Sequence, residues 1–286
     1  MVNPPPIDSS MRLFDIADIC ARPREANLDR IRSLCRNAYL GGTSSLIRAM
    51  GRYKMYVDTA DIGISSHLLL DGYWEIWVTE AIAARVRPGM VVADVGANLG
   101  YFALIMADLV GPTGLVHAFE PNPAMLHRLR NSLLVNGFAP RTQVHALALT
   151  DRDGETVSFG IPADFPGGGS LNHHGAGGQG MIQVSTARLD SRDDWMRIEL
   201  MKIDVEGAEE LVWRGVKGLL DGSALRTVMM EFNSDRYSDP AHFLETIRNS
   251  GFATSLIHPD DGAVAIAPEV LIEQLANQEV MLLLER

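Results

Sequence analysis

The sequence predicts an α/β protein with a doubly wound, mainly parallel sheet and a small helical N-terminal extension. From residue 88 onward, strand-like apolar runs alternate with helix-like segments, as in parallel strands joined by crossover helices. A glycine-containing turn follows the first of these strands, and acidic residues stand at several strand ends. The chain has 286 residues, 47% of them hydrophobic, which suffices for one large core.

The N-terminal part reads differently from the rest. Helical periodicity is present at Leu28–Tyr39, a short alternating run at Tyr53–Asp58 and a helix pair at Ser66–Val86. We therefore expect a helical extension over 1–87 and the main domain over 88–286. The extension either covers the functional site or makes a homo-oligomeric contact.

The main domain is expected to alternate strands and helices in order. Gly137 marks the end of one helix, and Asp239-Pro240 marks the start of a later one. The predicted strands are Val91–Val95, Leu115–Glu120, Val144–Leu149, Leu200–Asp204 and Thr227–Phe232, followed by an antiparallel pair at Phe252–His258 and Glu279–Glu285. The predicted helices are Tyr101–Val110, Pro123–Asn136, Ala208–Leu220 and a helix from Pro240 to about Gly251.

Charge and composition exclude several classes of function. The net charge of −11 opposes a surface that follows nucleic-acid phosphates, so we expect no nucleic-acid partner. No run of 18 apolar residues is present, which argues against a membrane span. Cys20 and Cys35 lack metal-ligand spacing, and the first residues lack a secretory pattern, so the expected location is cytoplasmic.

The turn after the first core strand indicates the cofactor. A dinucleotide fingerprint counted from Gly96 requires glycine at positions occupied here by Asn98 and Tyr101. Asp94 would repel a pyrophosphate but attract an ammonium group, and the following helix N-terminus can bind a carboxylate. This charge pattern favours S-adenosylmethionine, with an NAD-dependent oxidoreductase as the alternative.

Glu120 stands at the end of the next predicted strand, 20 residues after Gly100. A carboxylate there can accept hydrogen bonds from both hydroxyls of a ribose, which indicates an adenosine cofactor. The alternative for Glu120 is a solvated helix-capping residue.

Four motifs together resemble the FkbM family of S-adenosylmethionine-dependent methyltransferases, over roughly residues 53–286. They are Asp94 to Gly100 (DVGANLG), Phe119-Glu120-Pro121, Asn136-Gly137 and Lys202 to Glu209 (KIDVEGAE). The resemblance implies the Rossmann-like, seven-stranded sheet of class I methyltransferases. It also implies O-methylation of a hydroxyl on a small molecule or glycan, such as a sugar, a polyketide or another secondary metabolite.

Cofactor residues are carried over from this resemblance position by position. Asp94, Gly96, Asn98 and Gly100 would form the cofactor turn, Glu120 would hold the ribose, and Ala148 would flank the adenine. Phe102, Asn122 and Asp204 complete the expected cofactor set.

Catalytic candidates lie at the ends of the fourth and fifth strands, because ligands of a doubly wound sheet bind beyond the carboxyl ends of its strands. Asp204, Glu206 or Glu231 would act as general base. We favour this route without a metal over one in which Asp204, Glu231 and Asn233 hold Mg²⁺. The alternatives are helix capping for Asp204 and Glu206, and an ordinary strand end for Glu231 and Asn233.

A glycine-rich segment, 167–180, is either a lid over the site or a surface loop. From it, His173 could serve as an additional base and His174 could contact the acceptor, together with Asn233; the alternative is a solvated histidine pair.

Two aromatic residues precede the core. Tyr73 and Trp74 either roof the acceptor site or pack in the core. Beyond the oxidoreductase, the remaining alternative for the whole chain is an adenosine-binding scaffold that has lost catalysis.

Overall fold

The computed structural model describes residues 12–162, 166–171 and 180–286. The strands are β1 (Asn37–Gly41), β2 (Ser44–Ala49), β3 (Tyr53–Asp58), β4 (Val91–Val95), β5 (Leu115–Phe119), β6 (Thr142–His145), β7 (Ala148–Leu149), β8 (Thr156–Ile161), β9 (Gly180–Ala187), β10 (Leu200–Ile203), β11 (Thr227–Phe232), β12 (Ala253–His258), β13 (Gly262–Ala265) and β14 (Val280–Glu285). The α-helices are α1 (Arg24–Leu34), α2 (Ile64–Leu70), α3 (Ile76–Ala83), α4 (Tyr101–Leu109), α5 (Pro123–Val135), α6 (Glu209–Gly215), α7 (Lys217–Asp221) and α8 (Pro240–Asn249).

A mainly parallel eight-stranded sheet forms the centre, in the order β13-β12-β14-β11-β10-β4-β5-β6. Strands β6, β5, β4, β10 and β11 run parallel, whereas β14 lies antiparallel between β11 and β12. This confirms the doubly wound, Rossmann-like class. The observed sheet has one strand more than the seven predicted, because β13 forms a hairpin with β12 and extends the sheet.

The boundaries around β4 and β5 follow from their sequence. All five residues of β4 are buried, four of them apolar and the fourth along the strand Asp94, as expected of a central parallel strand covered on both faces. Asn122 caps α5 by accepting a hydrogen bond from the backbone N–H of Ala124, and Pro123 occupies the first helical position. The predicted strand 144–149 is instead divided between β6 and β7, and β7 pairs with β9 in a separate sheet of order β7-β9-β8.

The N-terminal region is not purely helical, which corrects the sequence expectation. The predicted helix pair is present as α2 and α3, but the helix expected over 28–39 ends at Leu34, and β1, β2 and β3 form an antiparallel sheet. Gly41 and Gly42, both with positive φ, make the turn of the first hairpin.

This region also belongs to the main core rather than standing apart from it. Ile31, Met55 and Val78 are fully buried in the same apolar cluster as Leu104 of α4. Among the described residues, every helix is too short or too polar to cross a membrane.

Candidate functional site

One cavity opens beyond the carboxyl ends of the central parallel strands. The N-terminal region supplies part of its wall, and residues 166–171, between β8 and β9, cover another part. The lining residues include Ile64, Trp74, Glu75, Gly96, Asn98, Phe102, Phe119, Glu120, Asn122, Leu147, Ala148, Leu149, Phe159, Lys202, Asp204, Glu206, Glu231 and Glu279. Most of the predicted site residues that the structure describes are therefore brought together here.

The two glycines of the β4–α4 turn are required by the protein's own packing. A Cβ on Gly96 would lie 1.8 Å from the backbone carbonyl oxygen of Asp204, and one on Gly100 would lie 2.4 Å from Leu129 Cδ1. Gly96 also lines the cavity, whereas Gly100 is not among its lining residues. The space beside Gly100 is filled by the Leu129 side chain, and the predicted contact of Gly100 with the cofactor stays a prediction.

Glu120 occupies the position expected of a ribose-binding carboxylate. Its Oε2 accepts the backbone N–H of Asn98 and its Oε1 that of Asn122, both at 2.8 Å. Burial raises its pKa to about 7. Each carboxylate oxygen keeps a second lone pair, so the side chain can still accept hydrogen bonds from a vicinal diol. Glu120 also lines the cavity and is not a solvated helix cap.

An apolar surface lies beside Glu120. Ala148 and Leu149 are buried, and they line the cavity together with Phe119, Leu147 and Phe159. Such a surface suits a purine ring and agrees with the role expected of Ala148.

Lys202 is a site residue that the sequence analysis did not select. It is buried, its Nζ donates a 2.7 Å hydrogen bond to Asp204 Oδ2, and it lies 4.6 Å from the ring centre of Phe102. The surrounding carboxylates hold the pKa of Lys202 above its ordinary value despite burial. Because Lys202 and Asp204 are two residues apart along the strand direction, both side chains point to the same side.

Asp94 lies behind this lysine and is not among the cavity-lining residues. Lys202 and Asp94 are direct neighbours in the β10–β4 register. Both carboxylate oxygens of Asp94 are buried without a hydrogen-bond partner among the residues that the structure describes. Burial raises its pKa to about 6, and Lys202 counteracts that rise. Asp94 thus lies close to the cavity but does not line it, and its predicted contact with the cofactor stays a prediction.

The turn that carries Asp204 and Glu206 is held by Glu209. The Oε1 atom of Glu209 accepts the backbone N–H groups of Val205 (3.1 Å) and Gly207 (3.0 Å), and its Oε2 accepts the hydroxyl of Tyr237 (2.8 Å). Glu206 has a positive φ of 57°, an uncommon conformation for this residue type. These hydrogen bonds hold the turn in place despite the strained backbone of Glu206.

Helix capping does not account for Asp204 or Glu206. Helix α6 follows Ala208, which provides no side-chain cap, while Asp204 pairs with Lys202 and Glu206 with Arg236. Both carboxylates line the cavity.

Arg236 gathers the acidic residues at the mouth of the cavity. Its guanidinium pairs with Glu206 (3.0 Å), Glu231 (2.7 Å) and Glu279. Burial and the negative charge of Asp204 raise the pKa values of Glu206 and Glu231, and Arg236 opposes the rise. Among the described residues, these three glutamates are close enough to share a metal ion, but a cation of the protein already pairs with all three.

The magnesium set predicted from the sequence is not assembled. The side-chain oxygen of Asn233 accepts the backbone N–H of Asp235 at 3.1 Å and so caps a short turn after β11. Asn233 is not among the cavity-lining residues, and its predicted contact with the acceptor stays a prediction.

The two aromatic candidates, Tyr73 and Trp74, lie in different surroundings. Trp74 lines the cavity, while the hydroxyl of Tyr73 accepts a hydrogen bond from Arg32 on the side of α1. The roof expected from sequence thus consists of Trp74 without Tyr73. His173 and His174 lie outside the described residues.

The described start of the glycine-rich segment forms a strap, residues 166–171, across the cavity. The side-chain amide of Asn98 donates to the carbonyl oxygen of Gly167 (3.2 Å), and that of Asn122 donates to Pro166 (3.0 Å). At the other end, the hydroxyl of Ser170 donates to the carbonyl oxygen of Glu206 (2.7 Å). These contacts agree with the lid alternative for this part of the segment.

The cavity fits S-adenosylmethionine on several independent points. A buried carboxylate with free lone pairs adjoins an apolar surface, and further carboxylates stand beyond Gly96, where the cationic half of the cofactor would lie. Fold and site together define a Rossmann-like, S-adenosylmethionine-dependent methyltransferase.

The family follows from comparison with known proteins. The FkbM methyltransferase domain family matches residues 94–253, more than half of the chain, and the chain belongs to this family. It is 28% identical over 231 residues to the AMB antimetabolite synthetase AmbE of Pseudomonas aeruginosa, covering 64% of this chain and 10% of that protein. It is 44% identical over 70 residues to the 31-O-demethyl-FK506 methyltransferase FkbM of Streptomyces tacrolimicus, covering 24% and 26% of the two chains.

Both matches span a minor part of those relatives, about a tenth and about a quarter of their lengths. Among solved structures, the methyltransferase FkbM from Methylobacillus flagellatus is 16% identical with a TM-score of 0.43, and the match covers 69% of this chain and 43% of that one.

Proposed function

We propose that this chain transfers a methyl group to a hydroxyl oxygen of a small molecule or glycan. One observation carries the proposal: a single cavity holds Glu120 and an apolar surface at one end, and the carboxylates of Asp204, Glu206 and Glu231 at the other. The name of the Streptomyces relative, which specifies a 31-O-demethyl acceptor, supports oxygen as the methylated atom.

Glu120 and the apolar surface at Ala148 and Leu149 would hold the adenosine half of S-adenosylmethionine. When bound, the cofactor supplies an electrophilic methyl group on a sulfonium. The protein must then orient the acceptor oxygen, exclude water and accept the hydroxyl proton. Trp74 and the strap would shield the cavity from solvent.

Glu206 is the general base in this proposal. Burial and Asp204 make it more basic than an exposed glutamate, and a base with a pKa nearer to neutral accepts a proton more effectively. The proton would move from the acceptor hydroxyl to the Glu206 carboxylate, which Arg236 holds in place. Glu231 would accept or donate a hydrogen bond to the acceptor, and Asp204 is oriented by Lys202.

The charges around the cavity also indicate which acceptors it would repel and whether transfer needs a metal ion. Of the residues that the structure describes, six carboxylates and one lysine line the cavity, so a phosphorylated acceptor or a nucleic acid would be repelled. Since Arg236 pairs with the glutamates that could bind a metal, we propose that transfer needs no Mg²⁺. Exhaustive chelation with EDTA should leave the rate unchanged; activity lost on chelation and restored by Mg²⁺ would contradict this.

Binding and transfer are tested separately. Calorimetric titration with S-adenosylhomocysteine should show binding that Glu120→Ala weakens, while NAD⁺, the cofactor of the oxidoreductase alternative, should not bind. Transfer of labelled methyl groups to a panel of hydroxylated acceptors should fall by about 10²–10⁴-fold in Glu206→Gln, with an unchanged dissociation constant for S-adenosylhomocysteine. A normal rate in Glu206→Gln would refute its role as base, and preferred binding of NAD⁺ would refute the proposed function.

A further inference from the structure

Glu75 is a cavity residue that belongs neither to the predicted site nor to the matched family region. It immediately precedes α3, in the left-handed conformation with φ 35°, and its carbonyl oxygen accepts the backbone N–H groups of Val78 and Thr79. Its side chain lines the cavity. The Oε2 atom is buried and has no hydrogen-bond partner among the described residues.

An unpaired buried carboxylate oxygen is costly for a folded protein, so such an atom at a cavity wall indicates a missing partner. Burial and the nearby Asp204 raise the pKa of Glu75 to about 7, and Lys202 opposes that rise only in part. A cationic ligand group would supply the missing charge and the hydrogen bond together.

The neighbouring charges show an acidic excess at this end of the cavity. Lys202 faces three carboxylates, those of Glu75, Asp94 and Asp204, and its Nζ hydrogen-bonds to Asp204. Asp94 lies behind Lys202 and does not line the cavity. Of the two carboxylates that Lys202 does not hydrogen-bond, Glu75 is therefore the one that a ligand can reach.

We propose that Glu75 binds the ammonium group of the amino-acid half of S-adenosylmethionine, the role that the sequence assigned to Asp94. This inference rests on the proposed function, because it takes the cofactor's adenosine half to lie at Glu120. The amino-acid half then lies beyond Gly96 toward Asp204, the end of the cavity where Glu75 stands. An amino group on the acceptor is the other source of such a cation, and a ligand without an acceptor distinguishes the two.

The test is calorimetric titration of the full chain and of Glu75→Gln with three probes. S-adenosylhomocysteine carries the ammonium and the carboxylate, decarboxylated S-adenosylhomocysteine keeps the ammonium alone, and 5′-methylthioadenosine lacks both. We expect Glu75→Gln to weaken the binding of S-adenosylhomocysteine and of its decarboxylated form on the order of tenfold to a hundredfold. The binding of 5′-methylthioadenosine should weaken less than about twofold. Glu210→Gln is the matched control, since it removes one carboxylate outside the cavity, where Glu210 pairs with Arg214, and all three affinities should stay within about twofold of wild type.

Each of four results would overturn the assignment. Equal affinity of wild type and Glu75→Gln for S-adenosylhomocysteine would exclude the cofactor ammonium, even if transfer to amino-bearing acceptors were lost. An equal loss for 5′-methylthioadenosine would place the effect at the adenosine end or in the fold. Decarboxylated S-adenosylhomocysteine bound equally well by both proteins would exclude a contact with the ammonium. Wild-type protein that binds none of the probes would instead refute the cofactor site itself, and the assignment with it.

Discussion

Substitution of Gly96 by alanine should destabilise the protein far more than the same substitution at Gly154. Both glycines have positive φ, +82° and +72°, so both variants bear the same backbone cost of about 1 kcal/mol. At Gly154 a Cβ would meet nothing within 4 Å, whereas at Gly96 it would lie 1.8 Å from the carbonyl oxygen of Asp204. An ordinary carbon–oxygen contact is longer by roughly 1.5 Å, and the neighbour is a backbone atom that cannot rotate away.

The ends of β4 and β10 would therefore have to separate, although they are joined by the hydrogen bond from the N–H of Asp204 to the carbonyl oxygen of Val95 (3.0 Å). Overpacking of this kind adds about 3 kcal/mol, so we expect a loss of about 4 kcal/mol for Gly96→Ala and about 1 kcal/mol for Gly154→Ala. Equilibrium unfolding in urea measures both free energies, and calorimetric titration with S-adenosylhomocysteine shows whether each variant still binds a ligand in the cavity. Equal losses for the two variants, with binding intact in Gly96→Ala, would refute the close approach of the two strand ends.

Two further predictions concern buried carboxylates. Glu209→Gln should lower the rate of methyl transfer about 10- to 100-fold, because the catalytic turn loses a charged hydrogen-bond acceptor. Its affinity for S-adenosylhomocysteine should change little. Glu210→Gln is the matched control and should keep the wild-type rate, since Glu210 is the next residue and pairs with Arg214 outside the cavity. A parallel loss in both variants would contradict this positioning role. Glu120 should make the free energy of unfolding depend on pH, because its pKa of about 7 in the native state lies above its pKa in the unfolded state. The stabilisation that protonated Glu120 gives the native state is complete below about pH 4.5 and is lost as the pH rises through about 7. The difference in free energy of unfolding between Glu120→Gln and wild type should therefore increase by up to about 3 kcal/mol from pH 5 to pH 8, in favour of the variant. Urea unfolding curves measure this difference, and a difference that stays constant with pH would contradict the raised pKa.

The central elements could be predicted from the sequence because several local signals agree there. The buried run of β4, the Asn122-Pro123 start of α5 and the glycine at position 137 each mark a boundary independently. Strand β1, which was missed, lacks such signals. All five residues of β1 are exposed, so its sequence carries no alternation of apolar and polar residues.

The site was predicted as a set of positions at strand ends rather than as a set of contacts. Glu120 and Glu206 face the cavity as expected, but the sequence could not show that Asp94 lies behind a lysine. That arrangement depends on the pairing of Lys202 with Asp94 across β10 and β4, and register between strands far apart in sequence is not encoded locally. Glu75 was missed for a related reason, since only tertiary packing brings α3 to the edge of the cavity.

The place of β14 in the sheet has a consequence for folding during synthesis. This strand follows β11, β12 and β13 in the sequence, yet it lies third from the edge, between β11 and β12. On the ribosome, β11 and β12 must wait with unpaired edges until residue 285 has emerged, because neither pairs with the other in the finished sheet. Long-range pairing of this kind is slow and leaves strand edges open to aggregation. Nascent chains of this protein should therefore depend on chaperones until translation has passed β14.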